Sequence, residues 1–155
     1  MSIYQELGFS PKQERLSEAA LYNIARTFTL LTRHFQRHYS TFGLTPAKLN
    51  VLMLVQHLRG SAGLSQRDIA ERLIVSGSNV TGLIDRLEHD GLLARRARSG
   101  DRRVKLIAIT SKGSALLDRL WPSHIEHADR VMAPLSKTDL ADLIKLLTKI
   151  RSRLK

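Results

Sequence analysis

The sequence predicts a mainly α-helical fold with one small β-hairpin, an α+β chain with helices at both ends, and three observations carry that expectation. Apolar residues recur at steps of three and four along most of the 155 residues. Ser or Thr stands just before the runs as a capping residue, and Gly closes two of them. One segment breaks the helical period: two strand-like runs flank a Gly-containing turn between Leu92 and Ile109.

From Lys12 to Tyr39 the apolar residues Leu16, Ala20, Ile24, Phe28, Leu31, Phe35 and Tyr39 mark one face of a long helix, which Gly43 ends. Thr45 as N-cap and Pro46 at the first helical position open a second helix to about Leu58, because the missing proline N–H costs nothing there. Arg59 to Gly63 is a polar turn. Ser65 caps a short helix carrying Ile69, Ala70 and Leu73, with Asp68 complementing the dipole in its first turn. Ser76 caps the next, from about Gly77 to Asp90, which buries Val80, Leu83, Ile84 and Leu87 and closes on Gly91 in the left-handed conformation. Leu92–Ala97 and Arg103–Ile109 follow as strands around the turn Arg98–Arg102. Thr110 caps a helix from Ser111 to about Ala133, with a bend expected at Pro122. Ser136 caps the last, in which Leu140, Leu143, Leu147, Ile150 and Leu154 form the stripe.

This length predicts one domain over 1–155, and no repeat or linker divides it. Within it, a lobe over 44–110 sits between helical regions at 10–40 and 111–155. The net charge of +11 favours a polyanionic partner through counterion release. The absence of Cys excludes disulfides and thiolate nucleophiles. With no apolar leader at the N-terminus and no long apolar run, the expected place is the cytoplasm, with no membrane contact. There is no Gly-rich phosphate loop and no Ser, His and acid arrangement, so no catalytic residue is assigned and no enzyme is expected.

Short helix, tight turn, capped second helix and basic hairpin, in that order, make a winged helix-turn-helix, in which the second helix enters the major groove of duplex DNA. Beyond the cap Ser76, the face left outside by the buried stripe presents Gly77, Ser78, Asn79, Thr81, Gly82 and Arg86. Small residues allow close backbone approach, Asn79 suits adenine, Thr81 suits a thymine methyl, and Arg86 suits a phosphate. In the hairpin, Arg95, Arg96, Arg98, Arg102, Arg103 and Lys105 gather positive charge, with Asp101 the one acid near the tip. Arg at that tip fits the narrow, electronegative minor groove, and Asp101 is placed to pin a guanidinium. A plain exposed helix face and a solvated turn remain the bland alternatives. Long apolar helices at both ends of a small chain call for a homodimer, the alternative being packing onto their own lobe. His34 with His38, and His124 with His127, have the spacing of metal-binding pairs, but without Cys or enough nearby acids no metal is assigned.

The motifs Leu64-Ser-Gln-Arg-Asp-Ile-Ala-Glu-Arg-Leu73, Val80-Thr81, Asp85-Arg86-Leu87-Glu88, Gly91-Leu92, Asp101-Arg102-Arg103 and Leu106 through Ile109-Thr110-Ser-Lys-Gly113 stand in register. Together they resemble the MarR family of bacterial transcriptional regulators. The resemblance implies an obligate homodimer joined through its terminal helices, binding a pseudo-palindromic operator with one recognition helix per half-site. It implies that Arg103 enters the minor groove and Asp101 orients it. It also implies a ligand-responsive repressor with no cofactor, whose effector is a small aromatic acid; Arg33, His34, Arg37, His57 and Trp121 are the candidate effector-binding residues, the alternative being plain packing or surface residues. Ile74-Val75-Ser76-Gly77-Ser78 departs from the common pattern of Gly before the Val and Lys after the Ser. Two other readings stay open: a winged helix that binds an acidic protein, and a sequence-neutral architectural DNA protein.

Overall fold

The computed structural model describes residues 2–10, 13–58, 63–73, 80–98 and 101–154, with Arg98 and residues 101–104 described by their backbone alone. Along the chain run α1 (Ile3–Glu6), α2 (Leu16–Ser40), α3 (Pro46–His57), β1 (Leu64–Ser65), α4 (Gln66–Arg72) and α5 (Val80–His89). Then come β2 (Leu93–Arg98), β3 (Asp101–Ile109), α6 (Ser111–Met132) and α7 (Lys137–Arg151).

Caps account for most of the helix starts. Thr45 Oγ1 accepts from the Lys48 N–H at 3.2 Å, with Pro46 leading α3 as expected. Ser65 and Asp68 form a reciprocal capping box on α4: the Ser65 N–H donates to Asp68 at 3.0 Å, and the Asp68 N–H donates to Ser65 Oγ at 3.1 Å. Ser136 and Asp139 repeat the device on α7, at 2.9 and 3.2 Å. After α5, Gly91 takes φ +71, the left-handed conformation a side chain would resist.

The sheet is antiparallel in the order β1-β3-β2, with Leu64 opposite Ile107 and Leu93 opposite Ile109. Several expected boundaries need correction. β1 was not foreseen, because two residues are too few to show an alternation. α1 was also missed, a single turn held by its own Ser2–Gln5 box. β2 starts at Leu93, since the Leu92 N–H is committed to the Leu87 carbonyl at 2.8 Å in closing α5. The hairpin is longer than expected: Arg98, Asp101 and Arg102 are strand residues, with Arg98 opposite Asp101. α7 ends at Arg151, so Leu154 lies beyond the helix it was assigned to. The expected start of the recognition helix, including Ser76, Ser78 and Asn79, lies outside the described residues, as does Lys12.

The chain divides into two compact units, Met1–Ser114 and Ala115–Lys155. Leu52, Ile69, Ile84, Leu87 and Ile107 form the heart of the first, each at most 1% exposed. Every such side chain contributes about 1.5–3 kcal/mol of apolar burial. The end of β3 is tied in by the Thr110-Ser-Lys-Gly113 segment. Thr110 Oγ1 donates to the Gly91 carbonyl at 2.7 Å and accepts from the Gly113 N–H at 3.0 Å. A Cβ on Gly113 would lie 2.3 Å from the Leu92 carbonyl oxygen, which leaves room for Gly alone. Lys48 pairs with Asp90 at 2.7 Å, and Lys112 donates to the Asp90 carbonyl at 2.7 Å.

In the second unit none of the described residues of α7 is buried, and Leu143, Ile144, Leu146 and Ile150 are exposed. Among the described residues, no helix is long and apolar enough to cross a membrane.

Candidate nucleic-acid interface

Two short helices and a hairpin assemble the candidate interface within the first unit. α5 turns Val80, Leu83, Ile84 and Leu87 inward, which leaves Thr81 and Arg86 exposed and Gly82 half-buried on the other face. The Gln66 amide at the start of α4 donates to Thr81 Oγ1 and so ties the first helix of the pair to the second.

The hairpin is joined to α5 by one guanidinium. Arg95 on β2 donates from Nη1 to Glu88 and from Nη2 to Asp85, and its N–H reaches Glu88 Oε1 at 3.2 Å. The hydrogen bond it donates to Asp85 holds its pKa above the ordinary arginine value, against the opposing effect of burial. This corrects the charge reading of the hairpin, because the half-buried Arg95 is paired with two acids and its charge is answered within the fold. Sequence reasoning missed the role, yet the signal was there: Asp85 and Glu88 lie three apart on one helix face, seven residues before an Arg whose strand crosses that face.

Arg96 and Lys105 are exposed on the hairpin. Arg98, Asp101, Arg102 and Arg103 are placed by backbone at its far end, beyond the register shift between Ala97 and Arg98. From Ile109 to Asp101 an extended strand covers roughly 26 Å. The structure thus brings Thr81, Gly82, Arg86 and Arg96 onto one described scaffold and places the tip residues by backbone. Ser76, Ser78 and Asn79 lie outside the described residues.

Of the candidate effector residues, Arg33, His34 and Arg37 are exposed on α2, with Arg33 and Arg37 one turn apart, and His57 is the exposed last residue of α3. Trp121 belongs to the second unit, where its ring lies 5.0 Å from that of His124. The His34 ring meets Phe35 edge-on at 6.3 Å, and the His38 ring lies 5.6 Å from Tyr39, whose phenol is pushed by burial up to about 12. Among the described residues, no group of three or more His, Cys, Asp or Glu is placed to hold a metal ion.

A family model described as MarR family matches residues 42–104, the span from Phe42 through most of the hairpin. The HTH-type transcriptional regulator MhqR of Bacillus subtilis (strain 168) is 30% identical over 127 residues, covering 82% of this chain and 86% of its own. The uncharacterized HTH-type transcriptional regulator YkoM of the same organism is 35% identical over 130 residues, covering 83% and 82%. Among solved structures, CouR from Rhodococcus jostii RHA1 bound to p-coumaroyl-CoA superposes with a TM-score of 0.74 at 26% identity, over 89% of this chain and 95% of that one.

Proposed function

The chain belongs to the MarR family of transcriptional regulators, and we propose that it acts in the cytoplasm as a homodimeric repressor of a pseudo-palindromic operator, released by a small aromatic acid. Its relatives are transcriptional regulators and not enzymes. The observation that carries the reading is the fastening of α4, α5 and hairpin into one body by Gln66–Thr81 and Arg95–Asp85/Glu88. A recognition helix and a wing that must enter neighbouring grooves together need a fixed angle between them, and these bonds supply it.

In this mechanism α5 lies in the major groove with Ser76, Ser78, Asn79, Thr81 and Gly82 toward base edges. Arg86 and Arg96 neutralise phosphates. At the wing tip Arg103 enters the minor groove, oriented by Asp101, with Arg98 and Arg102 on the flanking backbone. A second copy places the same set in the next half-site and doubles the +11 charge that draws the protein to DNA. Bound protein occludes the promoter. The ligand of CouR, an aromatic acid joined to coenzyme A, supports an effector of the aromatic-acid class, with Arg33, His34, Arg37 and His57 in the first unit and, separately, Trp121 in the second as the candidate residues. Its binding changes the spacing of the two lobes and lowers operator affinity.

A mobility-shift titration against DNA from upstream of the gene, with a scrambled duplex and varied salt, tests the reading. Saturable, sequence-preferring binding as a dimer is expected, and Arg103→Ala should weaken it by about 1–3 kcal/mol. Equal binding to both duplexes that vanishes at moderate salt would overturn it.

A further inference from the structure

At the N-terminal end of the first unit, far along the sequence from the helix-turn-helix, three aromatic rings and one carboxylate line an open pocket of about 380 Å³. Its described lining is Tyr4, Gly8, Phe9, Ser10, Glu18 and Tyr22. The walls stand nearly square to one another. Tyr4 meets Tyr22 at 5.9 Å with an interplanar angle of 80°, and Phe9 meets Tyr22 at 5.7 Å and 65°.

The local sequence builds this shape. α1 buries Tyr4 to 2% exposure, and the Phe9 N–H donates to the Tyr4 carbonyl at 2.8 Å. The turn between them passes through Gly8 at φ +75, which folds Phe9 back over α2. On α2, Glu18 and Tyr22 are one turn apart and face the same way. Tyr22 Oη donates to Glu18 Oε1 at 3.3 Å, and the one Tyr4 Oη proton lies between the Arg15 carbonyl at 3.3 Å and Glu18 Oε2 at 3.4 Å, so the carboxylate sits beside two phenols on long, weak bonds. Glu6 is paired with Arg26 at 2.6 Å and is not among the described lining residues.

Neither the operator nor the aromatic-acid effector has a use for this arrangement. Ring faces carry negative potential and attract cations, and a partly desolvated carboxylate adds a full charge of the same sense. The described lining offers no cationic side chain that would receive an acid. The chain as a whole is strongly basic, which makes a pocket of the opposite preference a local feature and not a consequence of overall charge. Methylated ammonium groups suit aromatic walls, because their charge is spread over methyl groups that need no hydrogen-bond acceptor.

We propose that the cavity formed by Tyr4, Phe9, Tyr22 and Glu18 is a binding site for a small organic cation of the methylated-ammonium class. Its volume accommodates the head group and a short tail. The site stands apart from the DNA-binding reading and from the effector residues named above.

The test is titration calorimetry of the full-length protein with choline, and with 3,3-dimethylbutanol as its neutral isostere, backed by saturation-transfer NMR on the ligand methyls. Choline should bind saturably, one per chain, at least about tenfold more tightly than the isostere. Tyr22→Leu should abolish binding, Tyr22→Phe should keep it within about twofold because the ring face survives, and Glu18→Gln should weaken it about tenfold. Circular dichroism and operator binding report whether each variant is folded. Choline that fails to saturate, binds no better than its isostere, or binds Glu18→Gln as it binds the natural chain would overturn the proposal.

Discussion

The helices of the DNA-binding lobe and the helices at the two ends carry the same apolar period and have opposite fates. On α5 the residues Val80, Leu83, Ile84 and Leu87 are all buried. On α2 the equivalent stripe begins with Leu16 at 92% exposure and includes Phe28 at 54%, and of the stripe only Tyr39 is buried. On α7, Ile144 is 64% exposed. Periodicity therefore states that a helix has an apolar face, and the fold of one chain decides whether that chain covers it. Among the described residues, the α5 stripe is covered by its own chain. The end helices are the surface on which a second copy is expected.

The sharpest way to break this contrast is to damage the lobe. Leu52→Ala removes a fully buried side chain and should cost about 2–5 kcal/mol of stability, read as a fall in the denaturant midpoint. A loss below about 0.5 kcal/mol would mean the lobe core is not what holds this unit. The opposite manipulation is a charge on an end helix. Ile144→Asp should leave the far-UV spectrum intact while light scattering shows the mass falling from dimer to monomer, and operator affinity should fall with it. An unchanged dimer would place the interface elsewhere.

A subtler comparison lies within the lobe, between fastening and contact. Arg95 is partly exposed, so its pairs with Asp85 and Glu88 contribute under about 1 kcal/mol to stability. Their expected importance is to the angle of the wing. Arg95→Gln should therefore lose more in operator affinity than in stability, and should keep its salt slope, because it contacts no phosphate. A reduced slope with unchanged stability would make Arg95 a DNA contact.

Legibility in the sequence follows the range of the interaction. Thr45, Ser65 and Ser136 were readable as caps because their partners are three residues away, at Lys48, Asp68 and Asp139. Gly91 was readable because its left-handed turn follows directly on the end of α5. β1 was not, since its two residues are strand only by pairing with Leu106 and Ile107, some forty positions on. The function of Arg95 was hidden for a related reason: a cation among other cations reads as surface until its acidic partners are brought opposite. In the candidate interface the inward stripe of α5 and the exposure of Thr81 and Arg86 agree with the sequence reading. The N-terminal cavity was invisible, because Tyr4 and Phe9 meet Tyr22 only after the chain folds back through Gly8.

The smallest effect distinguishes two copies of one device, the capping boxes of α4 in the lobe and α7 at the end. In each, hydrogen bonds from Ser hold an Asp carboxyl below its ordinary pKa, Ser65 acting on Asp68 and Ser136 on Asp139. A carboxylate lowered by folding stabilises fully above its unfolded pKa of about 3.9 and loses that contribution as pH falls through the lower folded value. Neither box should thus respond between pH 5 and pH 8, and both should weaken on acidification below about pH 4. Ser65→Ala and Ser136→Ala should each cost about 1 kcal/mol at neutral pH and less in acid, where the natural chain has already lost part of the same bond. Followed by hydrogen exchange, the Ser65 change should open α4 and the hairpin residues paired to β1, while the Ser136 change should fray α7 alone. Spread of the Ser136 effect into the amides of α5 would mean that the end helix and the lobe unfold as one cooperative body, and that the contrast between them is one of exposure only.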